Sequence, residues 1–103
     1  MKTYKVLITD EALWDMEQIY NYISNDLYAP EAAMNQYNRI AAAILSLSQM
    51  PGRIRLLDSK SVELRKLRRM NVDNYSVFFT IQKDTVIVTD VLYGASDIDE
   101  RLR

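Results

Sequence analysis

The chain contains no cysteine and no histidine. Without cysteine there is no disulfide, no thiolate nucleophile and no thiolate metal site. Without histidine, the usual general base at neutral pH and the commonest metal ligand are both missing. Glycine is nearly as scarce. Only Gly52 and Gly94 occur, so no glycine-rich loop is present to cradle a phosphate. No apolar run is long enough to span a membrane, and the N-terminus leads into strand-like sequence rather than a signal segment. An excess of basic charge is lacking too: 13 Lys/Arg face 14 Asp/Glu, for a net charge of −1 and a pI near 5.3. A nucleic-acid backbone asks for a basic face, so direct DNA binding is not expected. These exclusions lead to the expectation of a soluble cytoplasmic protein with no cofactor, no metal and no membrane partner.

What is present is a strong strand signal near the C-terminus. From Leu67 to Gly94 the sequence reads as three consecutive strands joined by two short turns. Tyr75, Val77, Phe79 and Ile81 alternate with Ser76, Phe78 and Thr80. An aromatic on each face predicts a central strand. A polar turn at Gln82–Lys83–Asp84 precedes a β-branched run, Val86 to Val91. A further strand is predicted over Tyr4–Thr9 and another over Leu64–Val72.

Two helices are predicted between the first and second strands. Thr9 or Asp10 caps the first, with Asp10, Glu11 and Asp15 near its positive end. Leu13, Met16, Ile19, Tyr20, Ile23 and Leu27 recur at spacings of three and four, as one helical stripe requires. Trp14 and Tyr22 fall off that stripe, as padding at the core edge or as a partner surface. Pro30 opens the second helix, whose face is Ala33, Tyr37, Ile40, Ile44 and Leu47. Met50–Pro51–Gly52 stops it after about 28 Å. The short loop between them implies an antiparallel hairpin covering the sheet, with Ile19, Ile23, Ile40 and Ile44 nearly buried. The fold class is therefore α+β, a single β-α-α-β-β-β domain over residues 1–103. Its sheet is antiparallel with about four strands, and the hairpin packs on one face.

Charge is unevenly distributed. Residues 1–50 hold three Lys/Arg against six Asp/Glu. Residues 53–69 reverse this, with Arg53, Arg55, Lys60, Arg65, Lys66, Arg68 and Arg69 against Asp58 and Glu63. Arg53, Arg55, Arg65, Lys66, Arg68 and Arg69 are candidates for an anion- or partner-binding patch. The alternative is a solvated edge, because cations also keep strand edges from aggregating. On a strand, Arg65 and Leu67 share one face while Lys66 and Arg68 share the other. Ser96–Asp97–Ile98–Asp99 carries a weak helix-start signal, and Asp97, Asp99 and Glu100 read as a charged tail.

In their order and spacing these segments resemble the RelE/ParE family of toxins from bacterial type II toxin–antitoxin modules. The likeness runs through YKVLITDEA, IYNYIS, APEAA and ILSLSQMP. It continues in LRRMNVDNYSVFF, similar to the family's LRKL…NYxVFY segment, and in VTDVLYG, similar to its V…V[HY]GRRD ending. The resemblance implies a mostly antiparallel four-stranded sheet under two helices. It also implies a plasmid-stabilising growth inhibitor neutralised by a cognate antitoxin encoded alongside. RelE-like members cut messenger RNA in the ribosome, whereas ParE-like members inhibit DNA gyrase. Arg68 matches the family arginine before the NY segment and Tyr93 the terminal His/Tyr position. These two are the candidate catalytic residues of a metal-independent endoribonuclease. Ala95 and Ser96 stand where two arginines usually follow the glycine, and Ser76 where an arginine often follows the tyrosine. A phosphoryl transition state needs cations and a base. The departures favour a ParE-like toxin that binds a protein target such as gyrase. The alternatives are a RelE-like ribosome-dependent nuclease and a catalytically weakened toxin.

Overall fold

A computed structural model describes residues 2–94. Strand β1 (Lys5–Ile8) runs into helix α1 (Asp10–Asn21), whose N-cap Thr9 accepts from the Ala12 amide through its side chain. One π-helical turn (Tyr22–Asp26) extends α1. Helix α2 (Pro30–Leu45) starts on its proline and tightens into a 3₁₀ turn, Ser46–Ser48. The meander follows as β2 (Arg68–Val72), β3 (Tyr75–Gln82) and β4 (Thr85–Tyr93).

The strand order is β1-β4-β3-β2. The meander pairs are antiparallel, as expected, but β1 lies parallel to β4, so the sheet is mixed. Two-residue turns reverse the chain at Asp73–Asn74 and Lys83–Asp84, whereas β1 reaches the sheet through a helical crossover that imposes no reversal. Helix α1 packs on β4 and α2 lies nearer β2. Their shared core joins Ala12, Met16, Ile40, Ile44 and Leu47 to Val77, Phe79, Val86, Val88 and Val91. Phe78 and Leu64 are buried outside that cluster. By alternation Phe78 points away from the helices, so the second face of the sheet is also covered there.

Two expectations need correction. Ile40 and Ile44 are buried, but Ile19 and Ile23 are only half-buried, and Leu13 and Leu27 are exposed. The buried side of α1 runs through Ala12 and Met16 rather than Leu13, and Ile19 packs half-buried against the same core. The strand predicted from Leu64 begins only at Arg68. Residues 64–66 form a 3₁₀ turn, so Arg65 and Lys66 have no strand face.

The bulge in the β3–β4 register changes the outer strand. Phe78 faces Asp90 and Phe79 faces Val88, which leaves Thr89 as the extra residue. Helix α1 satisfies the disturbed backbone: the Thr9 hydroxyl donates to the Thr89 carbonyl (3.3 Å) and Asp15 accepts from the Val91 amide (2.9 Å). Burial pushes the Asp15 carboxyl above its ordinary range, against the hydrogen bond from Val91, while Asp90 and Glu11 push it further up. The core-facing set thereby switches from Val86 and Val88 to Val91, and Tyr93 comes to the helical side.

Candidate partner-binding site

The irregular chain from Ser46 to Leu67 has many carbonyls outside any ladder, and these must find donors. Arginine, with five N–H groups, supplies them. Arg53 donates to the carbonyls of Gln49 (2.5 Å) and Met50 (3.0 Å), where Met50 turns through a positive φ of 48° before Pro51. Arg65 donates to the Ser59 carbonyl, and more weakly to that of Lys60. Arg68 donates to the Ile54 carbonyl (2.5 Å) and grazes that of Gly52 (3.5 Å). Backbone pairing of Leu56 with Arg68 and of Leu57 with Leu67 seals this chain against the start of β2.

The basic stretch is therefore not one uniform patch. Arg53, Arg65 and Arg68 staple the loop. Arg55, Lys60 and Lys66 are exposed and form no ion pair among the described residues. Arg69 belongs to a third class. It projects with Asn71 to the face away from the helices, where its Nε donates to Ser76 Oγ (3.0 Å) and Asn71 Oδ1 (3.1 Å). Ser76, almost fully buried, also lies 3.3 Å from the Asn71 side chain and from the Gly94 carbonyl. The Nη groups of Arg69 make no hydrogen bond or ion pair among the described residues, and Arg69 borders a hollow of about 540 Å³ shared with residues 53–59. Sequence reasoning grouped Arg69 with its neighbours. The signal that separates it is Ser76, a small polar residue across the pair from β2.

Arg68 and Tyr93 are not brought together. Arg68 pairs with Phe79 on one side of β3 and Tyr93 with Tyr75 on the other. Four residues of strand and two strand spacings put their Cα atoms about 16 Å apart. Tyr93 instead meets Tyr75 edge-on, with ring centroids 5.5 Å apart. Burial, and then the neighbouring Tyr93 and Tyr22, push the Tyr75 phenol above its ordinary value.

The tip of the helical hairpin exposes apolar side chains, among them Leu27 of the predicted core stripe and Tyr22, expected at the core edge or on a partner surface. Tyr22 and Leu27 are each 53% exposed, and Tyr28, at a positive φ of 52°, is 88% exposed. Trp14 stands 59% exposed beside Asp10, Glu11 and Asp15. Below the tip, Asp73 takes a left-handed conformation (φ 56°) in the β2–β3 turn. Arg39 of α2 holds it with two bonds, at 2.6 and 2.9 Å, and Gln36 adds a third at 3.0 Å. These bonds keep the Asp73 carboxyl below its ordinary range.

Residues 6–98 match the family described as the ParE toxin of the type II toxin–antitoxin system parDE. The chain belongs to the ParE toxin family. The solved chromosomal ParDE toxin–antitoxin system of P. aeruginosa shares the fold of this toxin at a TM-score of 0.76. The two are 17% identical over 90% of this chain and 98% of that one. The RelBE2 toxin–antitoxin complex of Mycobacterium tuberculosis superposes at 0.63, with 20% identity over 93% and 97%. YafQ of E. coli does so at 0.52, with 8% identity over 87% and 92%. No curated protein sequence matches significantly. The chain is thus the toxin component of a type II module, and its partner is a cognate antitoxin. No helix among the described residues is long and apolar enough to cross a membrane. The positions of Ala95, Ser96, Asp97, Asp99 and Glu100 lie outside the described residues.

Proposed function

We propose that this toxin arrests bacterial growth from the cytoplasm by occupying a protein target, with DNA gyrase the first candidate, and that it does not cleave RNA. One observation carries the reading. Arg68 and Tyr93, the residues that would serve a nuclease, lie on strands either side of β3 and four residues apart along it, and the Arg68 guanidinium is committed to loop carbonyls. Cleavage by a 2′-hydroxyl needs cation and proton donor around one phosphate, within hydrogen-bond reach. With Cα atoms about 16 Å apart, the Arg68 guanidinium turned to the Ile54 carbonyl and the Tyr93 ring against Tyr75, the binding reading is favoured over cleavage.

The antitoxin, in this reading, covers the basic stretch through Arg55, Lys66 and Arg69, whose charges the fold does not use up. The test pairs two assays of the purified toxin. Supercoiling by gyrase should be inhibited, and toe-print mapping of message on programmed ribosomes should show no toxin-dependent stop. Efficient A-site cleavage that vanishes in Arg68→Ala would overturn this and establish the RelE-like ribonuclease.

A further inference from the structure

Helix α1 holds four acids, Asp10, Glu11, Asp15 and Glu17, and no base. The helix dipole accounts for Asp10 and Glu11 in the first turn, and the Val91 amide accounts for Asp15. Neither reason reaches Glu17 or Trp14. Asp10, Trp14 and Glu17 recur at steps of four and three, all exposed. They form one stripe on the side of α1 opposite the buried Ala12 and Met16. The two carboxylates of the stripe form no ion pair among the described residues. Between them the Trp14 indole stands 59% exposed beside an open hollow of about 460 Å³. A large aromatic flanked by charge has the composition of an interface centre and its rim.

Cations without an ion pair stand at the other edge of the sheet. There Leu56 pairs with Arg68 and Leu57 with Leu67, a register that sets position 55 across from 69 and position 66 across from 58. Arg55 and Lys66 are thereby three strand positions apart, about 10 Å, on either side of Leu56, which is 52% exposed. Asp58, opposite Lys66, forms no ion pair with it. Asp10 and Glu17 are seven helical residues apart, also about 10 Å, on either side of Trp14. Charge, spacing and an apolar centre therefore match. Helix α1 packs on β4 and this loop pairs with β2, with β3 between them, so the two surfaces cannot meet within one molecule.

We infer that the α1 stripe of one toxin docks on the Arg55–Leu56–Lys66 edge of a second copy. Asp10 and Glu17 meet the two cations, and the Trp14 indole covers Leu56. Each surface repels its own like, so the contact is heterologous, stripe to edge, and the assembly grows with concentration. The chain has one tryptophan, so its emission reports this contact directly. The toxin is followed by sedimentation velocity and tryptophan emission over a concentration series, at low and high salt. At low salt the weight-average mass should rise above the 12.0 kDa of one chain while the emission shifts to the blue. At high salt both should return to the values of the single chain. Asp10→Lys with Glu17→Lys, and separately Arg55→Glu with Lys66→Glu, should each stay monomeric. A mixture of the two should associate again, because a native stripe then meets a native edge. Trp14→Ala should melt as the wild type does and weaken association about 10-fold. A wild type that stays a single chain throughout, or association that survives high salt or either reversal, would overturn the inference. So would a mixture of folded reversal variants that remains monomeric. Should a reversal variant fail to fold, Trp14→Ala decides, and association as tight as that of the wild type would overturn the inference equally.

Discussion

Asp73 shows how one side chain supports a strained turn. An aspartate tolerates the left-handed region better than most residues, and here three hydrogen bonds from α2 secure it. Its folded-state pKa is lowered by those bonds, so the stabilisation is fully present above the ordinary carboxylate value. It is lost as the pH falls from about 4 through the depressed folded value. Urea unfolding of Asp73→Asn should therefore lack the part of the acid-induced loss that the wild type shows below about pH 4. Equal acid slopes in the two proteins would mean that the clamp contributes nothing to stability. Asp15 has the opposite sign. Its pKa is raised, so its contribution declines as the pH climbs through the folded value.

At the scale of elements, a packing contact and a polar contact are among those that tie the hairpin to the sheet. Ile40, 1% exposed in the middle of α2, is a packing contact of the main core. Ile40→Ala should cost about 2–5 kcal/mol through the cavity it leaves, read by chemical denaturation. Asp15 is a polar contact, accepting from the Val91 amide on β4 past the end of β1. Asp15→Ala strands that buried donor and should cost about 1–3 kcal/mol, while Asp15→Asn, which keeps an oxygen acceptor, should cost less. Equal losses in the two variants would show that the acceptor is not what matters. The bulge also governs where Tyr93 lies. Without the extra Thr89, strict alternation from Val88 would send position 93 to the opposite face, away from Tyr75.

For the whole molecule, the division of labour among the cations is what bears on function. Arg53, Arg65 and Arg68 hold a loop that has no ladder of its own, whereas Arg55, Lys66 and Arg69 remain available to a partner. Arg68→Ala should thus destabilise the fold by about 1–3 kcal/mol, since carbonyls lose a charged donor. Arg55→Glu combined with Lys66→Glu should leave the melting temperature nearly unchanged and weaken antitoxin binding, most at low salt. Finding the larger stability loss in the double reversal would exchange the two roles.

The order of strands and helices, the central place of β3 and the α2 face at Ile40 and Ile44 were determined by the sequence itself, because period and turn chemistry act within a few residues. The order of these segments also carried the family. The parallel seating of β1, the Thr89 bulge, the half-open α1 tip and the separation of Arg68 from Tyr93 were decided only by tertiary structure. Each depends on a partner far along the chain: Asp15 lies 76 residues from Val91, and Arg39 lies 34 from Asp73. Arg68 and Arg69 are adjacent in sequence and identical in chemistry. Opposite sides of one strand give the first a loop carbonyl and the second a buried serine, and that difference makes one a staple and the other a candidate for binding.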